Sequence, residues 1–341
     1  MFIKSFGRSG LTLGSDRKMF PIHKCHQSKM MSKRKMFLFL LFVTGIAVFI
    51  RTYPRLSDGF QLQDVCACEK CLTEDNLLLH HGNTSVQPFL SMQYNLPEDV
   101  FNWWKRLQAE GRNFNTYKTA VARMFQMFPP SPDLIEQSPE LCRSCAVVGN
   151  SGNLRRSHYG HRIDTHDVVI RMNGGRVEGF EKDVGTKTTH RVMYPESAID
   201  LDDTSHLVLF PFKILDIEWL TGAFTTGFTG KSYMPVKTKM KANKDLVMVV
   251  NPAFMKYVHD QWLDNKGKYP STGFMTFVLA LHICDEVNVF GYGADTDGNW
   301  SHYWEKLKDK MLKTGVHLGH HEYDIIKQLA QKGKIQFFTG V

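Results

Sequence analysis

From residue 140 onward, short apolar runs alternate with longer mixed segments. The runs fall at 146–149, 168–171, 190–194, 206–211, 246–250, 286–291 and 335–338, and segments of helical length lie between several of them, at 214–224, 253–263, 272–283 and 322–331. Short apolar runs bounded by polar turns suit strands covered on both faces. Their alternation with helices predicts an α/β, Rossmann-like domain: a mainly parallel sheet of about seven strands, doubly wound and flanked by helices. Upstream, residues 98–110 predict a helix with an aromatic face, and the Pro-rich stretch at 129–139 breaks the pattern. No internal repeat or low-complexity tract interrupts it.

One apolar run is of a different kind. Met36 to Ile50 contains no charge, follows Ser32-Lys33-Arg34-Lys35 and is closed by Arg51. A typical bilayer core takes roughly 17–25 residues, and thin early-secretory membranes accept shorter spans. No small-x-small cleavage site follows, and the run starts deep in the chain, which disfavours a removable signal peptide. The pattern predicts a signal anchor at 36–52, a polar stem at 53–65 and a single luminal domain at 66–341. By the positive-inside rule the tail, residues 1–35, is cytosolic.

Charge agrees with this division. The net +8 is confined to residues 1–35, with nine Lys and Arg against Asp16; the rest of the chain carries 33 bases and 33 acids. A basic chain ordinarily points to nucleic acid. Here the location assigns the charge to membrane orientation, and no nucleic-acid partner is expected. Met30, Met31 and Met36 could serve as alternative starts. Of seven cysteines, Cys25 is in the tail; Cys66, Cys68, Cys71, Cys142, Cys145 and Cys284 lie beyond the anchor. Six in an oxidising lumen suggest three disulfides, although C-x-C-x-x-C with His80 and His81 also has the makings of a zinc site. The sequons at Asn83 and Asn299 are weak support for a luminal side.

Three places carry candidate chemistry. Doubly wound sheets bind ligands at the carboxyl ends of their strands, where the strand order reverses. The loop Val148-Gly-Asn-Ser-Gly-Asn-Leu154 offers turn glycines and donors at the expected start of a helix, a setting for an anion or simply a capped strand-to-helix turn. Tyr269-Pro-Ser-Thr-Gly273 precedes an apolar helix, where Ser271 and Thr272 could cap or bind. Asn299-Trp-Ser-His-Tyr-Trp-Glu305, with His317 and Glu322, places histidines suited to proton transfer in loop-like sequence. Asp295-Thr-Asp297 and Asp200-Leu-Asp202 match the D-x-D string of metal-dependent sugar transferases, and such short strings equally serve turns. A dehydrogenase reading fails, because no acid stands about twenty residues after the glycine loop.

Together these segments resemble the sialylmotifs of the animal sialyltransferases, glycosyltransferase family 29. The long motif runs from Cys142-Arg-Ser-Cys-Ala-Val-Val-Gly-Asn-Ser-Gly-Asn153 through Arg171-Met-Asn173 to Gly185-Thr-Lys-Thr-Thr-His190. The short one spans Tyr269 to Gly293, motif three is His302-Tyr-Trp-Glu305, and the very short motif is His317-x-x-x-x-Glu322. Trp103-Trp104, Arg106-Leu107-Gln108, Tyr194-Pro-Glu-Ser197, Pro211-Phe-Lys213 and Pro252-Ala-Phe254 liken it to the branch acting α-2,3 on β-galactosides.

The resemblance implies a GT-A-like variant fold in a Golgi, single-pass type II membrane protein. It implies inverting transfer of N-acetylneuraminic acid from CMP-Neu5Ac to the 3-hydroxyl of galactose in Galβ1-3GalNAc on glycoproteins or glycolipids, without a metal or other cofactor. His317 would be the general base and His302 would stabilise the leaving phosphate. Asn150, Ser151, Asn173, Tyr233, Ser271, Thr272, Gly273, Gly293 and Trp300 would hold the donor, with Gln108, Tyr233 and Tyr269 toward the acceptor. The implied disulfides are Cys66–Cys71, Cys68–Cys142 and Cys145–Cys284, the last tying the long motif to the short one. Homodimerisation is left open, and an inactive glycan-binding relative is the rival from another class. The chain departs from the family pattern at Ser301, where a histidine is common, at Leu318-Gly-His-His321, which replaces a more acidic stretch, and in its long tail.

Overall fold

The computed structural model describes residues 86–131, 140–305 and 314–340, together with Ala67, Cys68, Cys71, Leu72 and four residues of the N-terminal part. The chain divides into two units, Met1–Gln61 and Leu62–Val341. In the first, Arg34, Leu41, Phe42 and Thr44 are helical. The rest of the expected anchor, the stem, Cys66, His80, His81 and Asn83 lie outside the described residues. Among those described, no helix is long and apolar enough to cross a membrane.

The second unit is the predicted α/β domain. Its strands are β1 Ser144–Val148, β2 Val168–Met172, β3 His190–Met193, β4 His206–Leu209, β5 Val247–Val249, β6 Glu286–Phe290 and β7 Gln336–Phe338. They form one sheet in the order β5-β4-β3-β2-β1-β6-β7, and every pairing is parallel. The chain steps outward from β1 to β5, then returns to the opposite side of β1 to lay down β6 and β7. The strand order therefore reverses between β1 and β6, and a ligand site is expected at the carboxyl ends of that pair.

Among the described residues, eight α-helices accompany the sheet: α1 Glu98–Trp104, α2 Phe114–Met124, α3 Gly160–Asp164, α4 Glu181–Val184, α5 Ile214–Ala223, α6 Pro252–Tyr257, α7 Thr272–Ile283 and α8 Gly319–Gln331. Successive strand residues point to opposite faces. On one face Ala146, Val148, Val169 and Phe290 pack with Ile163 of α3, Val184 of α4 and Tyr303. On the other, Cys145, Val147 and Val289 join the larger core with α1, α5 and α7. Helix α7 is buried from Phe274 to Leu281, so it runs through the core with no polar face to show solvent.

Several expectations change in detail. The helix read at 98–110 stops at Trp104, because Glu110 is drawn away to receive the Ile214 N–H at 2.9 Å and the Arg112 guanidinium. Segment 253–263 is α6 followed by one π-helical turn, Val258–Trp262. After β1 the expected helix is a single 3₁₀ turn, Gly152–Leu154. Cys68–Cys142 and Cys145–Cys284 are disulfide-bonded. Cys71 is also in a disulfide, and its expected partner lies outside the described residues.

Candidate active site

Two glycine-containing loops open the reversal point. Phe290 pairs with Val148, so Gly149 and Gly291 emerge side by side, with the Gly149 N–H donating to the Phe290 carbonyl at 2.8 Å. A Cβ on Gly149 would stand 2.2 Å from the Gly291 oxygen, so only glycine fits there. Ser151 locks the loops together: its N–H donates to Gly291 O at 3.0 Å and its Oγ to Gly293 O at 2.8 Å. A lone antiparallel bridge between Ser151 and His302 brings in the third segment, and Gly152 N donates to Ser301 O at 2.8 Å.

These bonds change the role of the first loop. The N–H groups of Ser151, Gly152 and Asn153 are all taken by protein acceptors, so they cannot receive an anion. The open helix end belongs to α7. Ser271 caps it, its Oγ accepting from Phe274 N at 3.1 Å, and among the described residues no acceptor takes the N–H of Thr272 or Gly273. A twelve-residue helix with free N–H groups aimed at the strand ends is suited to a phosphate or carboxylate.

A cleft of about 320 Å³ lies over this junction. Of the residues singled out from sequence, Asn150, Ser151, Ser271, Gly273, Gly293, Trp300, His302, His317 and Glu322 line it. The structure adds Tyr292, Tyr323 and Thr314 to the lining. Glu322, 6% exposed, accepts from Ser271 N at 2.8 Å and Ser271 Oγ at 2.5 Å, joining α8 to the cap of α7. Burial raises its pKa, opposed by the two Ser271 bonds and the nearby His317 and His321.

The two histidines are held differently. Nδ1 of His317 lies 3.0 Å from the Tyr269 carbonyl, which can only accept, so in the neutral ring the proton sits on Nδ1 and the lone pair on Nε2. The ring is set edge-on against Tyr269, with centroids 5.0 Å apart. His302 stacks on Trp304 at 4.6 Å, and its Nδ1 stands 3.0 Å from a Glu305 oxygen, ion-pair distance without hydrogen-bond alignment.

Gln108, Tyr233 and Tyr269 do not line the cleft; they cluster beside it, around Lys213 and His317. Gln108 Oε1 accepts from Lys213 Nζ at 3.1 Å, Tyr269 meets His317, and Tyr233 is largely exposed above Lys213. Thr272 and Asn173 do not line the cleft; Asn173, at φ +52°, accepts from Ser197 Oγ at 2.9 Å. Asn299 belongs to the turn in which Asp295 Oδ1 accepts from the N–H of Asp297 and Asn299. Asp200 and Asp202 likewise receive backbone N–H groups, from Lys241, Thr204 and Ser205, so both D-x-D strings build turns. Ser301 is buried, with its Oγ donating to Asp295 at 3.3 Å. His320, within the altered very short motif, packs edge-on against Trp300 at 5.3 Å.

A family model described as glycosyltransferase family 29 (sialyltransferase) matches residues 89–334. The chain belongs to glycosyltransferase family 29, the sialyltransferases. The CMP-N-acetylneuraminate-beta-galactosamide-alpha-2,3-sialyltransferase 1 of Gallus gallus is 46% identical over 282 residues, covering 81% of this chain and 82% of that protein. The type 2 enzyme of Mus musculus is 44% identical over 281 residues, covering 81% and 80%. A solved mammalian sialyltransferase in complex with Gal-beta-1-3GalNAc-ortho-nitrophenol matches with a TM-score of 0.75 at 44% identity, covering 81% of this chain and 100% of that one. In this sialyltransferase the four motifs read from sequence therefore meet around one cleft. Glu322 was legible as the end of the very short motif, whereas Tyr292 and Tyr323 carried no signal beyond their aromatic character.

Proposed function

We propose that this sialyltransferase moves N-acetylneuraminic acid from CMP-Neu5Ac to the 3-hydroxyl of galactose in Galβ1-3GalNAc, forming an α-2,3 bond with inversion. Support for the α-2,3 linkage comes from the names of its relatives, and for the acceptor from the disaccharide in the matching solved structure. The observation that carries the chemistry is the single tautomer of His317. Its Nε2 is the base that takes the galactose proton as O3 attacks the anomeric carbon. The bond from that carbon to the CMP phosphate breaks, and the electron pair leaves with CMP. His302, beside Glu305, donates to the phosphate as negative charge grows, and the N–H groups of Thr272 and Gly273 face the donor's acidic groups. A monophosphate leaving group needs little neutralisation, so cationic and neutral donors serve in place of a divalent ion or another cofactor.

In the cell we place the chain in the Golgi membrane, with residues 1–35 cytosolic, 36–52 as the anchor, 53–65 as the stem and 66–341 as the luminal catalytic part. The test is the purified full chain in detergent, given labelled CMP-Neu5Ac with Galβ1-3GalNAc, Galβ1-4GlcNAc or lactose. Preference for the first, with full rate in EDTA, is expected. Preference for the second would move the assignment to another acceptor class, and activity lost in EDTA and restored by manganese would overturn the metal-free reading.

A further inference from the structure

Beside the cleft, one buried ammonium gathers groups from four separate segments. Lys213, at the start of α5, has a side chain only 13% exposed. Its Nζ is 2.9 Å from Asp216 Oδ1, 3.1 Å from Glu196 Oε1 and 3.1 Å from Gln108 Oε1, and 5.2 Å from the centre of the Tyr233 ring. Glu196 Oε1 also accepts from Ser232 Oγ, next to Tyr233. The ammonium thus holds the turn Pro195–Ser197, the loop after α1, the loop carrying Tyr233 and the N-terminus of α5. Both carboxylates are almost fully buried, and the cation pairs with each of them, beside the Ser232 hydroxyl on Glu196 and the Phe212 N–H on Asp216.

The effect on Gln108 follows from amide chemistry. A primary amide has one accepting and one donating end. With Oε1 fixed on an ammonium, the NH₂ end of Gln108 is the one left to donate. Tyr269 offers its carbonyl to His317 Nδ1. A neutral residue at 213 would leave the amide free to flip and the Tyr233 ring without its cation.

We propose that Lys213 is the positioning residue of the acceptor side, fixing the orientation of Gln108 without touching the reacting atoms. This rests on reading Gln108, Tyr233 and Tyr269 as the acceptor side. The test uses the full chain in detergent and whichever of the three acceptors above the wild type prefers. If that proves to be Galβ1-4GlcNAc, the acceptor assignment falls while the Lys213 comparison is read unchanged. For Lys213→Met, acceptor KM should rise at least tenfold, with kcat within threefold and CMP affinity by calorimetry within twofold. In a Gln108→Ala background the same change should raise KM less than threefold, because the two residues act through one contact. Should Lys213→Met fail to bind CMP, the charge-balanced Lys213→Met/Asp216→Asn protein is judged by the same numbers. An unchanged acceptor KM in a CMP-binding variant overturns the proposal. An equal KM rise with and without Gln108 also does, by reducing Lys213 to a general structural role.

Discussion

At the scale of residues, His317 and Glu322 have different tasks although they share a motif. His317 is half exposed and poised by a carbonyl, whereas Glu322 is sealed and spends its carboxylate on Ser271. Removing it would leave the Ser271 N–H buried without a partner and loosen the cap of α7. Glu322→Ala should therefore lose about 2–4 kcal/mol of stability and weaken CMP binding, measured by denaturant melts and calorimetry. Glu322→Gln, which keeps an accepting oxygen, should lose less than half as much. The polar candidates were legible because they stood in loop-like sequence between apolar runs. The Lys213 network was not, since its partner Gln108 is 105 residues away and nothing local marks the contact.

At the scale of elements, all seven strands were visible as apolar runs, because strands covered on both faces are largely apolar, even with Arg171, Arg191 and Asn288 among them. Helix α2 escaped notice: its exposed polar positions dilute a pattern whose buried members are Tyr117 and Met124. The 3₁₀ turn after β1 replaces an expected helix because the Ser151 and Gly152 N–H groups bond across to Gly291 and Ser301. The Cys145–Cys284 bond does join the two long motifs, but at the ends of β1 and α7 remote from the site, about 18 Å along α7 from Ser271. It holds the site by anchoring its two supports. Replacing both cysteines by Ser should cost about 4–5 kcal/mol, given the long loop it closes. The yield of folded, active enzyme under reducing and oxidising conditions checks this; unchanged thermal stability would contradict it.

For the molecule as a whole, the buried charges on the acceptor side make stability depend on pH. Burial raises the Asp216 carboxyl to about 6, against the pull of Lys213 and the Phe212 N–H. The native state therefore holds a proton there that the unfolded chain releases near 3.8. The stabilisation is full below about pH 4 and is lost as pH rises through 6. Subtracting the Asp216→Asn profile from that of the wild type should show a fall on the order of 3 kcal/mol between pH 4 and 6. A flat difference would mean that Asp216 is ionised throughout.

The whole arrangement converges on one proton acceptor. Strand reversal sets the loops, α7 offers its N–H groups, Glu322 fastens that helix, and the Tyr269 carbonyl leaves His317 Nε2 free. The decisive measurement is turnover and CMP affinity of His317→Ala in the same preparation. A kcat lowered about 10²–10⁴-fold, the range for a general base, with CMP affinity within a few-fold of wild type, is the expected result. Undiminished kcat would contradict it.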